Sequence, residues 1–113
     1  MAYKIAFASS DGKVVNQHFG RAKQFHIVEI GENEYKFIES RENIPPCDEF
    51  GHSDDALANA IQVISDCKAV FVSQIGPGAA ELLEQNGIQP VEAPDEIEKI
   101  LERLIKSKVR LIR

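Results

Sequence analysis

The sequence predicts an α/β fold, one domain over residues 1–113 with a mixed five-stranded sheet and helices on its faces. Three observations carry this prediction. Two short, mainly apolar runs, Tyr3–Ser9 and Ala69–Ser73, read as strands, the second as in a buried parallel position. Two half-apolar runs, Gln24–Ile30 and Glu34–Arg41, are joined by the turn Gly31-Glu32-Asn33, so they pair antiparallel. From residue 54 onward, helical periodicities alternate with short strands, which implies parallel pairing through right-handed crossovers.

Each element has its own signal. Tyr3–Ser9 is stopped by Ser10-Asp11-Gly12, whose Asp-Gly pair marks a turn. Lys13–Asn16 reads as a short extended piece, and Gln17–Lys23 as a polar, irregular segment. In Gln24–Ile30 both alternating sets are mostly apolar, as in a central strand. Glu34–Arg41 is the return strand, with Tyr35, Phe37 and Glu39 expected on one face. Glu42–His52 is the one true loop, because Ile44-Pro45-Pro46-Cys47 cannot be helical. Ser53 reads as an N-cap for a helix over Asp54–Asp66, whose Leu57, Ala60, Ile61 and Ile64 form one apolar stripe. After Ala69–Ser73, Gly76-Pro77-Gly78 opens a helix over Ala79–Asn86, closed by Gly87 in a left-handed conformation. Ile88–Val91 is a short strand. The final helix begins at Pro94-Asp95-Glu96 and is apolar along Ile97, Ile100, Leu101, Leu104 and Ile105.

Composition narrows the function. With 13 Lys+Arg against 18 Asp+Glu, the net charge of −5 argues against a nucleic-acid binder or an anionic-membrane binder. No apolar run approaches the length of a transmembrane helix. The N-terminus lacks the basic start and long apolar stretch of a signal peptide, so the expected location is the cytoplasm. Two cysteines, Cys47 and Cys67, are too few for a four-cysteine metal site and are expected as free thiols. Cys67, between a helix and an apolar strand, reads as buried, and His26 as a packed, hydrogen-bonded strand residue.

Chemistry has three candidate seats. His18, in Asn16-Gln17-His18-Phe19-Gly20-Arg21, is a loop imidazole able to ligate a metal, or else an ordinary surface residue. Phe19 would anchor it in the core, and Arg21 adds positive charge. Cys47 and His52 share the proline loop and make a soft half-site, completed to three ligands if His18 joins them. Gly76-Pro77-Gly78 at a helix start is an anion cradle or simply a tight connection; it matches neither GxGxxG nor a Walker motif. No nucleophile elbow, His-Glu-x-x-His motif or pair of strand-end carboxylates suggests an enzyme. A Cys47 nucleophile with a histidine base would lack an orienting third residue.

Taken in order, six motifs resemble one family. They are Ser9-x-Asp11-Gly12-x-Val14; His18-Phe19-Gly20-Arg21-Ala22-x-x-Phe25; Cys47; Ile64-x-Asp66-Cys67-x-Ala69-Val70; Ile75-Gly76-x-Gly78-Ala79; and Leu83-x-x-x-Gly87-Ile88-x-Pro90. The sequence resembles the dinitrogenase iron–molybdenum cofactor biosynthesis family (NifX, NafY and the C-terminal domain of NifB) from about Ala2 to Leu104. The resemblance implies a ribonuclease H-like topology without nuclease activity. It also implies a non-catalytic carrier for an iron–sulfur or iron–molybdenum-type cluster or its precursor, working between cluster donor and acceptor proteins. By the same analogy His18 is the leading ligand, Cys47 the second and His52 the third, with Arg21 as charge support. The alternative expectation is a metal-free interaction or regulatory module that docks a partner through its long loop and an exposed sheet edge. That reading requires a contiguous apolar surface patch. The sequence leaves the oligomeric state open.

Overall fold

A computed structural model of the chain describes residues 3–19, 22–31, 34–42 and 59–107. Its elements are β1 (Tyr3–Ala8), β2 (Gln24–Ile30), β3 (Tyr35–Glu42), a helical stretch over residues 59–63 (α1), β4 (Ala69–Val72), α2 (Pro77–Gln85), β5 (Gln89–Glu92) and α3 (Ile97–Ser107). The predicted order of elements holds. The loop 43–52, with Cys47 and His52, and the predicted start of the helix at Ser53 lie outside the described residues.

The strands form one sheet in the order β3-β2-β1-β4-β5. β1 pairs antiparallel with β2 and parallel with β4, β2 pairs antiparallel with β3, and β4 pairs parallel with β5. The two apolar runs therefore occupy the centre. Ile5–Ala8 and Ala69–Val72 are buried throughout, as expected of strands covered on both faces.

Alternation along β1 sends its side chains into two cores. Ala6 and Ala8 face a cluster with Phe19, Phe25, Ile27, Ile61, Ile64, Val70, Val72, Leu83 and Ile88, under α1 and α2. Ile5 and Phe7 face the other side, with Val15, Val28, Ile30, Phe71 and the α3 stripe Ile97, Ile100, Leu101 and Leu104. Small alanines on one side and larger residues on the other let helices pack at different depths. Phe7 and Phe71 stack across β1 and β4 with ring centroids 5.0 Å apart. Each buried phenylalanine contributes about 2–3 kcal/mol of hydrophobic stabilisation.

The end of α2 is a complete Schellman cap. Gly87 has φ +78°, its N–H donates to Glu84 O at 3.1 Å, and Ile88 N–H donates to Leu83 O at 2.9 Å. Ile88 and Leu83 are both buried, which supplies the accompanying apolar contact.

One strand face differs from expectation. The β2–β3 register shifts between Ile27 and Val28, so Ile38 is an extra, bulged residue. Beyond a bulge the alternation changes phase. Ser40, opposite His26, joins the face of Tyr35 and Phe37, while Glu39, opposite Ile27, turns to the other side. Simple period-two reading of β3 missed this, because nothing local in Phe37-Ile38-Glu39 announces an unpaired residue.

Candidate functional site

The order β3-β2-β1-β4-β5 has a switch point. The chain leaves β1 toward β2 and leaves β4 toward β5, so the carboxyl ends of β1 and β4 form the switch point of the sheet. Ligands of open α/β sheets bind at such a place. His18 stands there.

The segment that carries His18 is built by side chains close in sequence. Ser9, fully buried at the end of β1, accepts hydrogen bonds through Oγ from Gly12 N at 2.9 Å and Asp11 N at 3.3 Å. Its hydroxyl donates to Asp11 Oδ1, which also accepts from Lys13 N at 2.8 Å and Val14 N at 3.2 Å. The backbone donors of Lys13 and Val14, in that order, hold the Asp11 carboxyl below its ordinary pKa. Gly12 takes φ +75°, and a Cβ there would lie 3.2 Å from His26 Cε1. Ser10 and Asn16 then clasp each other: Ser10 N donates to Asn16 Oδ1 and Asn16 Nδ2 donates to Ser10 Oγ, both at 3.0 Å.

The chain next crosses the end of the sheet. Val15 is fully buried in the α3-side core and Phe19 in the α1–α2 core. Between them the backbone is stitched to both central strands. Gln17 N donates to Ala8 O, Ser73 N donates to Gln17 O, and Phe19 N donates to Gln74 O. His18 bridges Gln74 in parallel fashion, so the predicted irregular segment is in part an extension of the sheet. The short extended piece expected at Lys13–Asn16 reduces to one bridge, Val14 to Glu96. Phe19 anchors the segment as expected, its ring 5.9 Å from that of Phe25. The Gln17 side chain closes the far end by accepting from Lys23 N at 3.2 Å. His18 is exposed. An imidazole free to meet a ligand thus sits on a fixed backbone.

Beside it begins α2. Ile75 N donates to the Glu92 carboxylate at 3.0 Å, which positions the turn. Gly76 is the N-cap and Pro77 the first helical residue; there is no side-chain cap and no acidic residue in the first turn. A Cβ on Gly76 or Gly78 would meet nothing within 4 Å, so there is open space beside both glycines.

The structure leaves the other predicted ligands unplaced. Arg21, Cys47 and His52 all lie outside the described residues. Among the described residues no three His, Cys, Asp or Glu side chains gather to hold a metal ion. Cys67 is 2% exposed, and burial together with the charge of Asp66 pushes its thiol up to about 12. That thiol has little thiolate to offer a metal or an electrophile. His26 is hydrogen-bonded at Nδ1 to Ser40 Oγ at 2.9 Å, while its Nε2 is buried without a partner among the described residues. Sequence reasoning missed Asn16, Gln17 and Glu92 as builders of the site and Gln74 as the bridge partner. Only the Asp-Gly turn gave a local signal. No described helix is long and apolar enough to cross a membrane.

The chain is similar to known proteins. The family described as "Dinitrogenase iron-molybdenum cofactor" matches residues 1–107. The FeMo cofactor biosynthesis protein NifB of Frankia alni is 43% identical over 100 residues, covering 84% of this chain and 19% of NifB. Protein NifX of Herbaspirillum seropedicae is 34% identical over 105 residues, covering 93% of this chain and 70% of NifX. The chain therefore spans about a fifth of that NifB relative and most of that NifX. The crystal structure of PH0822 superposes with a TM-score of 0.72 at 25% identity, covering 95% of this chain and 94% of that one.

Proposed function

The chain belongs to the dinitrogenase iron–molybdenum cofactor family, and from that premise we propose that it is a non-catalytic carrier of an iron–sulfur or iron–molybdenum-type cluster or its precursor. Its cargo passes between donor and acceptor proteins. The observation that supports this reading best is His18, an exposed imidazole on a doubly anchored backbone at the β1/β4 switch point.

The chemistry suits a prebuilt cluster better than a bare ion. A lone metal ion needs three or four protein ligands. A cluster brings its own sulfides, so one or two protein ligands suffice, with N–H groups and cations to offset its negative charge. His18 is the leading ligand of this proposal. Cys47 is the second, His52 the third, and Arg21 supplies charge. The first turn of α2 lies beside His18 and has no acidic residue of its own, and the nearby Glu92 carboxylate is engaged by Ile75 N at 3.0 Å.

The test is anaerobic titration with a thiolate-capped [4Fe–4S] cluster, reading bound iron and the visible spectrum, for the wild type, His18→Ala and Cys47→Ala. Stoichiometric binding that each substitution weakens tenfold or more supports the carrier and its ligands. Binding that neither substitution changes keeps the carrier and removes these residues. A folded protein that takes up no cluster overturns the reading.

A further inference from the structure

We propose that the groove between α3 and the β2–β3 half of the sheet seats an amphipathic helix of a partner protein, apolar on one face and rich in lysine or arginine on the flank that meets α3. The proposal does not depend on what His18 binds.

Five strands spaced about 4.8 Å apart span roughly 19 Å from first to last, and one helix is about 10 Å across. α3 is the helix that the described residues place on its face of the sheet, and its apolar stripe packs over β1, β2 and β4. It leaves β3 uncovered among the described residues. Phe37 is 57% exposed and Tyr35 41% exposed there. With Val28 they form one side of a groove of about 470 Å³, and Ile97 and Leu101 of α3 form the other. The bulge at Ile38 belongs to this surface. It keeps Glu39 off the face that carries Tyr35 and Phe37 and brings neutral Ser40 there instead. The uncovered strip runs along β3 and the adjoining edge of β2, with α3 as its wall. α3 has 11 residues, so a partner helix of about three turns, roughly 16 Å, would match it.

Charge selects the partner. At 100° per residue, Glu98 and Glu102 fall on the flank of α3 next to the groove, and Glu98 lines it. Glu96 lines the groove as well, with Lys99 3.7 Å from its carboxylate, while Arg103 falls on the opposite flank, where its Nη2 meets Asp95 Oδ2 at 2.6 Å. The lip of the groove is thus acidic, in a chain of net charge −5, with Lys13 at one end. A second copy of the chain would set this acidic lip against its own like. A basic amphipathic helix instead meets opposite charge and covers the exposed rings.

The test uses two fluorescein-labelled 14-residue helices with Leu and Phe at i, i+3, i+4 and i+7. One carries Lys at its flanking positions, and its twin carries Glu. Anisotropy gives affinity, and amide chemical shifts of the labelled full chain give location. The expected result is binding of the lysine helix at least tenfold tighter than its twin, with shifts centred on Tyr35, Phe37 and Leu101. Phe37→Asp, at a position 57% exposed, weakens binding tenfold or more while the amide spectrum of the rest of the chain stays that of the folded protein. The double change Glu98→Lys and Glu102→Lys reverses the preference between the twins. Shifts that avoid the groove, equal affinity for the twins, or no binding overturn the proposal. So does a dimer in sedimentation that Phe37→Asp dissociates, which would assign the groove to a second copy.

Discussion

Gly12 and Gly87 are a matched pair, and substituting each with alanine separates two costs that usually arrive together. Their φ values are +75° and +78°, so a side chain at either position meets nearly the same backbone penalty. For an L-residue in that region the penalty is about 1 kcal/mol. Around Gly87 an added Cβ meets nothing within 4 Å. At Gly12 it would lie 3.2 Å from His26 Cε1 and 3.6 Å from both ring nitrogens. The ring cannot yield freely, since Ser40 Oγ holds its Nδ1 at 2.9 Å. Crowding of this kind adds about 1 kcal/mol. Gly87→Ala should therefore cost about 1 kcal/mol and Gly12→Ala about 2 kcal/mol. For a chain of this length that is a fall in Tm of about 4 °C and about 8 °C respectively. Urea unfolding of both variants measures the difference. The same change at Gly12 in a His26→Ala background isolates the contact, and there its cost should fall to that of Gly87→Ala. Equal costs at the two glycines in the wild-type background, or a Gly12 cost that His26→Ala leaves untouched, would refute the reasoning.

Arg41 joins β3 to the turn before β4: it holds Asp66 through two bonds of 2.6 and 2.9 Å and reaches Val63 O at 2.8 Å. Hydrogen bonding to Arg41 depresses the Asp66 carboxyl well below the ordinary range, so this stability is fully present above the unfolded pKa near 4 and is lost as pH falls below it. Asp66 is 44% exposed, so screening limits the pair to about 0.5–1 kcal/mol; urea midpoints of wild type and Asp66→Asn should differ at pH 7 and converge in acid. Cys67, with its thiol pushed up to about 12, should react with iodoacetamide at pH 8 at least a hundredfold more slowly than glutathione in the native state, and at the rate of an ordinary thiol in 6 M guanidinium. Mass spectrometry of the Cys67 peptide reads both rates.

The sheet was legible because its strands carry distinct hydropathy signatures. Ile5–Ala8 and Ala69–Val72 are apolar on both faces, and only a central position can hide both. The helix ends were legible where chemistry forces the backbone, as at Pro77 and Gly87. Phe19 as anchor was legible because one large apolar residue in a polar run has one low-energy destination. The bulge at Ile38 was not legible, since register depends on the partner strand. Nor was the pairing of His18 with Gln74, which joins residues far apart in sequence and is made by backbone groups that every residue possesses. The groove beside α3 was hidden for a related reason. Exposed Tyr35 and Phe37 have the same alternation as a buried strand face, and among the described residues the placement of α3 decides whether that face is covered.

The His18 segment combines exposure with rigidity, and Phe19 decides whether the rigidity is local. Phe19 is fully buried, and its removal costs about 3–5 kcal/mol of global stability. Val15 grips the opposite core independently, so the segment has one foot on each face of the sheet. If both are needed, Phe19→Ala releases the stitches that follow Val15 before the sheet itself opens. The Phe19 N–H to Gln74 O and Ser73 N–H to Gln17 O bonds are the reporters. Hydrogen exchange at residues 73 and 19 should accelerate more than the loss of global stability accounts for, while Ile5, Phe7 and Val70 in the sheet follow the global value. Phe19→Leu, which keeps most of the volume, should restore most of the protection. Uniform acceleration across all five amides would mean that the segment and the sheet open as one unit. In that case the fixed position of His18 would be a property of the whole fold and not of its two anchors.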